Sequence, residues 1–241
     1  FYMQVAMQLS GSGGWPLTII MTPEKIPIFA GTYFPPKQRF NRPGLIEILP
    51  QIAAAWQQDP AALLQGGKAV INILQQRQNS LVSGKDLTVS HLQQAEVTLQ
   101  QSFEPIHGGF GEAPKFPRPH ILSFLLQRYY RTANPELLQM VEKTLQAMRD
   151  GGIYDQIGFG FHRYSTDNEW LVPHFEKMLY DQAGLARVYL EAFQLTGKVE
   201  YKATAEEIFS YVLQRLRDPK GGFYSAEDAD ANGVEAVSYT H

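Results

Sequence analysis

The sequence predicts a mainly helical protein in two parts, a short β-hairpin with helices followed by an all-helical array that forms an α/α toroid or solenoid. Three observations predict it. Strand-like runs occur only near the start, apolar residues further on recur at helical steps, and Gly-Gly turns open at Gly108, Gly151 and Gly221.

TIIM at Thr18 to Met21 is β-branched and apolar, TPEK makes a turn, and IPIFAG from Ile26 to Gly31 offers a second strand, so a two-stranded hairpin is expected. Leu45, Ile48, Leu49, Ile52, Ala53 and Trp56 share one helical face, with Pro50 expected to kink or restart that helix. Val70, Ile71 and Leu74 mark a further helix, and NSLVSGKD from Asn79 to Asp86 reads as a linker, which divides the chain into 1–80 and 81–241. Beyond it, Leu92, Ala95, Leu99 and Phe103 form one stripe; Leu122, Leu125, Leu126 and Tyr129 form the next, after Pro119. Asn134 before Pro135 is a cap signal for a helix carrying Leu138, Val141, Leu145 and Met148. Pro173 is expected to start the helix of Phe175, Met178, Leu179, Ala186, Tyr189 and Phe193, and Tyr201, Ile208, Val212 and Leu216 mark the last one.

Of the 241 residues 44% are apolar, enough for a substantial core, and 21 basic against 24 acidic residues leave no basic field, so nucleic acid is not an expected partner. No run is long and apolar enough for a membrane span, and the start FYMQVAMQ lacks the features of a signal peptide; the expected compartment is cytoplasmic. Zero cysteines exclude a thiol nucleophile and a Cys-ligated zinc within these residues. No metal and no cofactor are expected. Asp228, Asp230, Asn232 and Gly233 copy the start of a calcium loop, but Tyr239 stands where the bidentate glutamate is required. HExxH, GxxxxGK and GxSxG motifs are absent.

The densest chemistry lies in GGIYDQIGFGFHRYSTDNEWLVPHFEKMLYDQ, from Gly151 to Gln182. His162 and His174 are expected to exchange protons near neutral pH, with Asp155, Asp167, Glu176 and Asp181 orienting them and Arg163 forking onto a carboxylate or sugar oxygen. Tyr154, Tyr164 and Trp170 supply the flat apolar faces of a small-molecule pocket. If the three Gly-Gly loops end successive hairpins, Glu227 and Asp228 of GGFYSAEDA and Lys115 of GGFGEAPKF meet the same rim. The plainer alternatives are an aromatic plug with ordinary caps, solvated acidic residues and a surface lysine. His91, His107 and His120 have no partner pattern and are expected to be structural.

GSGGWPLTIIMTPEKIPIFAGTYFPP, GGFGEAPKFPRP, the Gly151 to Gln182 stretch and GGFYSAEDAD resemble, in that order, the signature segments of the spermatogenesis-associated protein 20 family. The resemblance implies the C-terminal part of a thioredoxin-like α/β domain followed by a partial (α/α)6 barrel similar to six-hairpin glycosidases and N-acylglucosamine 2-epimerases. It also implies that a Cys-His-Trp-Cys motif lies upstream of Phe1, so the chain reads as an internal fragment. Trp15-Pro16 resembles the cis-proline turn beside which such domains bind an extended polypeptide, and Phe159 stands where the family usually has a glycine.

Two functions compete on this reading. One is a carbohydrate-active protein, either epimerase-like through a histidine pair or glycosidase-like through a carboxylate pair. The other is a thioredoxin-like redox or client-binding protein whose helical barrel is a recognition platform. A carbohydrate or other small molecule and a polypeptide client are the expected ligands. Apolar faces left by a partial barrel would also drive self-association.

Overall fold

The computed structural model describes residues 1–39, 42–80, 86 and 88–230. The chain forms two compact units, Phe1–Asp86 and Leu87–His241. In the first, α1 (Tyr2–Ser10) precedes an antiparallel hairpin of β1 (Thr18–Met21) and β2 (Pro27–Gly31), then α2 (Leu45–Gln58) and α3 (Pro60–Ser80). Thr18 pairs with Gly31 and Ile20 with Phe29, which puts the two apolar runs side by side as expected. Val5, Val70 and Leu74 form its small core, with Tyr2 and Ile19 packed against them. The Trp15–Pro16 bond just before β1 is cis, and Trp15 is 81% exposed. Two expectations are corrected. Helix α2 continues through Pro50 rather than restarting there, and α3 extends to Ser80, past the start of the expected linker; residues 81–85 of that linker lie outside the described residues.

The second unit is built from helices: α4 (Val89–Ser102), α5 (Pro119–Thr132), α6 (Pro135–Asp150), α7 (Leu179–Thr196) and α8 (Val199–Tyr211), which runs on as a π-helical segment Val212–Leu216. Its strands are two residues long: β3 (Tyr164–Ser165) pairs with β4 (Pro173–His174), and β5 (Lys177–Met178) pairs with β6 (Ala226–Glu227).

Local chemistry sets the helix ends. The Asn134 side chain accepts the Glu136 N–H at 3.1 Å, with Pro135 in the first turn, so α6 starts where the sequence indicates. Its buried face is Leu137, Met140, Val141, Thr144, Leu145 and Met148, a helical stripe against the core. Helix α7 ends at Gly197, whose φ of 73° supplies the left-handed turn. Helix α5 packs on α6 and α7, and α7 on α8, around Phe110, Tyr154, Phe161, Trp170 and Tyr189. The polar tips of that aromatic core are satisfied: Trp170 donates its indole N–H to His107 O at 2.9 Å and Tyr189 its hydroxyl to Leu145 O at 2.7 Å.

The helix expected from Pro173 begins instead at Leu179. Residues 173–178 are drawn into extended pairing, because Arg163 N–H donates to Glu176 O and Leu179 N–H to Ser225 O, bonds an earlier helical start would forfeit.

The Gly-Gly turns differ in cause. Gly108 and Gly109, and Gly221 and Gly222, all have positive φ, whereas Gly151 has φ −79° and needs no left-handed conformation. It is glycine because a Cβ there would lie 2.5 Å from Trp170 O and 2.9 Å from Trp170 Cβ. Gly151→Ala is therefore expected to destabilise the protein by about 1–3 kcal/mol through overpacking alone. Urea unfolding should show the loss, and Gly151→Ala melting with the wild type would refute a steric role.

Candidate functional site

Three loops meet at one end of the helices. The first (103–118) is tied to the second (151–178) by reciprocal main-chain bonds between Lys115 and Ser165, both 2.8 Å, and the second is tied to the third (217–230) by the β5–β6 pair.

Two buried lysines fasten these joints. Lys115 is fully buried; its Nζ reaches Asn168 O at 2.8 Å and Glu104 Oε2 at 3.3 Å and lies 5.0 Å from the centre of the Trp170 ring. Burial lowers the Lys115 pKa against the opposing pull of Glu104. Burial also raises that of Glu104, but the N–H groups of Ile106 and His107 and the lysine outweigh it and hold the carboxyl below its ordinary value. Lys177, 4% exposed, pairs with Asp155 Oδ2 at 2.6 Å, donates to Phe159 O at 2.9 Å and lies 4.5 Å over the Tyr211 ring. Asp155 Oδ1 accepts the N–H groups of Ile157 and Gly158. Tyr211 donates its hydroxyl to Glu227 Oε2 at 2.8 Å, and Arg215 holds Glu227 Oε1 at 3.0 Å. Glu227 is thereby kept below its usual range although burial pushes it up.

Several residues expected to line a cavity are therefore core. Trp170 is 0% exposed and Tyr154 1%, the latter with its hydroxyl on Glu207 at 2.5 Å and its ring under Arg149 at 3.9 Å. Lys115 is not at the rim, because its charge is consumed inside the first joint. His162 is 1% exposed, with Nδ1 3.0 Å from Phe175 O and its ring edge-on to Phe175. Burial first, then the Lys177 charge, lower its pKa to about 4. It is neutral at pH 7, against the expectation that both histidines titrate there.

A second group reaches the surface. Tyr164 stacks on His174 with ring centres 4.9 Å apart and planes 15° apart, and Phe116 lies 4.9 Å from Tyr164 on the first loop. Arg163 donates NH1 to Glu176 Oε2 at 2.7 Å, with side chains 38% and 22% exposed. Asp181, in the first turn of α7, has its pKa raised to about 7, by burial first and by Glu176, with Arg163 opposing. Asp228 stays outside both groups; it is exposed and accepts the Asp230 N–H. Asn232, Gly233 and Tyr239 of the calcium-loop comparison lie outside the described residues. Sequence reasoning missed Lys177, Glu104, Tyr211 and Glu207. A lysine set among Phe175, Met178 and Leu179 was the one legible signal of a buried cation.

Known proteins place this arrangement. The helical unit shares its fold with sugar epimerases: cellobiose 2-epimerase from Spirochaeta thermophila superposes with a TM-score of 0.51 at 23% identity over 56% of this chain and 36% of that one. A sugar epimerase from a ruminal bacterium superposes with 0.53 at 18% identity over 59% and 40%. Residues 1–75 match the family model Thioredox_DsbH, protein of unknown function DUF255. The class is thus a thioredoxin-like segment joined to an epimerase-like α/α barrel fold. Spermatogenesis-associated protein 20 of Homo sapiens is 44% identical over 237 residues, 95% of this chain, and that of Rattus norvegicus is 42% identical over the same length. The chain is thus similar to spermatogenesis-associated protein 20 over nearly its whole length and spans about 30% of the length of these curated relatives. No described helix is long and apolar enough to cross a membrane.

Two outcomes follow from the buried charges. Asp155→Ala strands Lys177 and is expected to cost about 3–5 kcal/mol of stability; denaturant unfolding measures it. His162 binds fewer protons folded than unfolded between pH 6.5 and about 4, so its share of stability is present above 6.5 and lost as pH falls through that window. Asp181 binds more protons folded, so its share is present below 3.8 and lost as pH rises through about 7. Melting against pH should therefore fall less steeply between pH 6.5 and about 4 in His162→Gln, and decline less toward pH 7 in Asp181→Asn, than in the wild type. Unchanged profiles would contradict the assignment.

Proposed function

We propose that the helical unit is a carbohydrate-active, epimerase-like module. The observation that carries the reading is the partly exposed Phe116–Tyr164–His174 stack beside the Arg163–Glu176 pair, where the three loops join. Stacked rings offer an apolar face for a sugar ring, and a histidine among carboxylates can remove and return a proton beside a carbonyl. His174 carries the proton exchange on this reading, Glu176 and Asp181 are the neighbouring carboxylates, and Arg163 and Tyr164 bind. His162, Asp155, Glu227, Tyr154, Trp170 and Lys115 hold the loops in place, and Asp228 is a turn residue. The sugar epimerase fold supports the ligand class and does not by itself establish an activity.

A second reading has its own observation. Trp15 is almost wholly exposed beside Pro16, just before β1, in the segment matching the thioredoxin-like model. It suits an extended polypeptide client added along a strand edge.

Thermal shift with a panel of aldoses and disaccharides separates the two. A binding sugar should raise the melting temperature by about 2–4 °C for each kcal/mol of linkage. His174→Ala should abolish the shift with little change in the unliganded melting point, and Trp15→Ala should leave it intact. A shift that survives His174→Ala, or no response to any sugar, would sink the epimerase-like reading.

A further inference from the structure

Lys115 pairs with Ser165, Ser165 with Pro173 and Tyr164 with His174, and the Thr166 N–H continues the same ladder to Val172 O at 2.8 Å. Side chains alternate between the two faces of such a ladder, and burial follows the alternation. Lys115, Ser165 and Pro173 lie underneath and are buried. The register places Phe116, Tyr164 and His174 in one row on the upper face and Pro114, Thr166 and Val172 in the next, about 7 Å further along the strands. Pro114, Thr166 and Val172 are all exposed, Val172 to 57%.

The two rows differ in chemistry. The first is the ring stack, with both neighbouring ring centres 4.9 Å apart. The second offers a proline ring, a threonine methyl and the valine methyls. The Thr166 hydroxyl donates to Val172 O at 2.8 Å, so its proton is spent inside the hairpin and the row has no side-chain donor left for a ligand. The row is also held still. Asp167 accepts the N–H groups of Glu169, Leu171 and Val172 at 2.7, 3.2 and 2.6 Å, and Lys115 Nζ holds Asn168 O at 2.8 Å. A fixed surface of this kind costs little ordering when a ligand covers it. A second sugar ring placed there would find no donor for its oxygens, whereas a hydrocarbon group would gain from leaving water. The carbonyl carbon belongs at His174 on the sugar reading, so that hydrocarbon is carried on another carbon of the sugar.

We propose that Pro114, Thr166 and Val172 form an apolar subsite beside the ring stack, and that the ligand is a sugar bearing an apolar ether or ester group away from its carbonyl carbon. The proposal rests on the sugar reading above and names its substrate class.

Titration calorimetry on the full chain tests it, with the 3-, 4- and 6-O-benzyl ethers of glucose and mannose against the parent hexoses, cellobiose and benzyl alcohol. At least one ether should bind about tenfold more tightly than its parent hexose and than cellobiose. Val172→Asp should bring that ether back to the affinity of its parent measured in the same variant, and Val172→Thr, which keeps the branched shape, should narrow the gap in the same direction. Circular dichroism of both variants should match the wild type, since the Val172 side chain is exposed. Ethers that bind no more tightly than the parent hexoses or cellobiose, a gap unchanged in both variants, or benzyl alcohol binding as tightly as the ethers overturns the subsite and leaves the sugar reading standing. Absence of heat with every sugar and every ether overturns both.

Discussion

Lys177 carries a cation to a position that is 4% exposed, and the loop end of the helical unit is arranged around satisfying it. Contacts reach it from two elements: the Asp155 carboxylate and the Phe159 carbonyl of the second loop, and the Tyr211 ring at the end of α8. Removing any one leaves a charge in a medium that solvates it poorly, so the contacts stand or fall together. The position of Phe159 shows the tension: it is held at φ 65°, a conformation glycine adopts more easily, in the turn that presents its carbonyl to the lysine.

Lys115 repeats the same solution one loop earlier, with Glu104, the Asn168 carbonyl and the Trp170 ring. In both cases the aromatic ring comes from a later element than the lysine's main acidic partner, so each contact staples one hairpin to the next. A polar clip of this kind limits the register of long irregular loops more sharply than apolar packing does, because a displaced lysine loses its partners outright.

The same arrangement divides the conspicuous residues of the second loop into two sets. His162, Asp155, Tyr154 and Trp170 are enclosed, and His162 is neutral at pH 7 because burial and Lys177 oppose its proton. Tyr164, His174, Arg163 and Glu176 are left at the accessible margin. The enclosed set gives the accessible set a fixed backbone, which is what a site needs to hold groups in a productive geometry.

Local sequence alone determined the hairpin, the helices and most of their ends, since these depend on nearest-neighbour chemistry: β-branched runs at Thr18 to Met21, the Asn134–Pro135 cap, and the left-handed glycines after helices. Motif order pointed to the family, and the family model and relatives agree. Tertiary structure decided what local patterns do not encode. Residues 173–178 became extended because their partners lie across the loops in β3 and β6, and Gly151 is required by the passage of Trp170 rather than by its own φ. Which of two neighbouring histidines stays accessible is likewise invisible in PHFEK and GFHRY, because exposure is set by what packs over a residue from distant positions. Only the folded chain buried His162 and left His174 stacked on Tyr164.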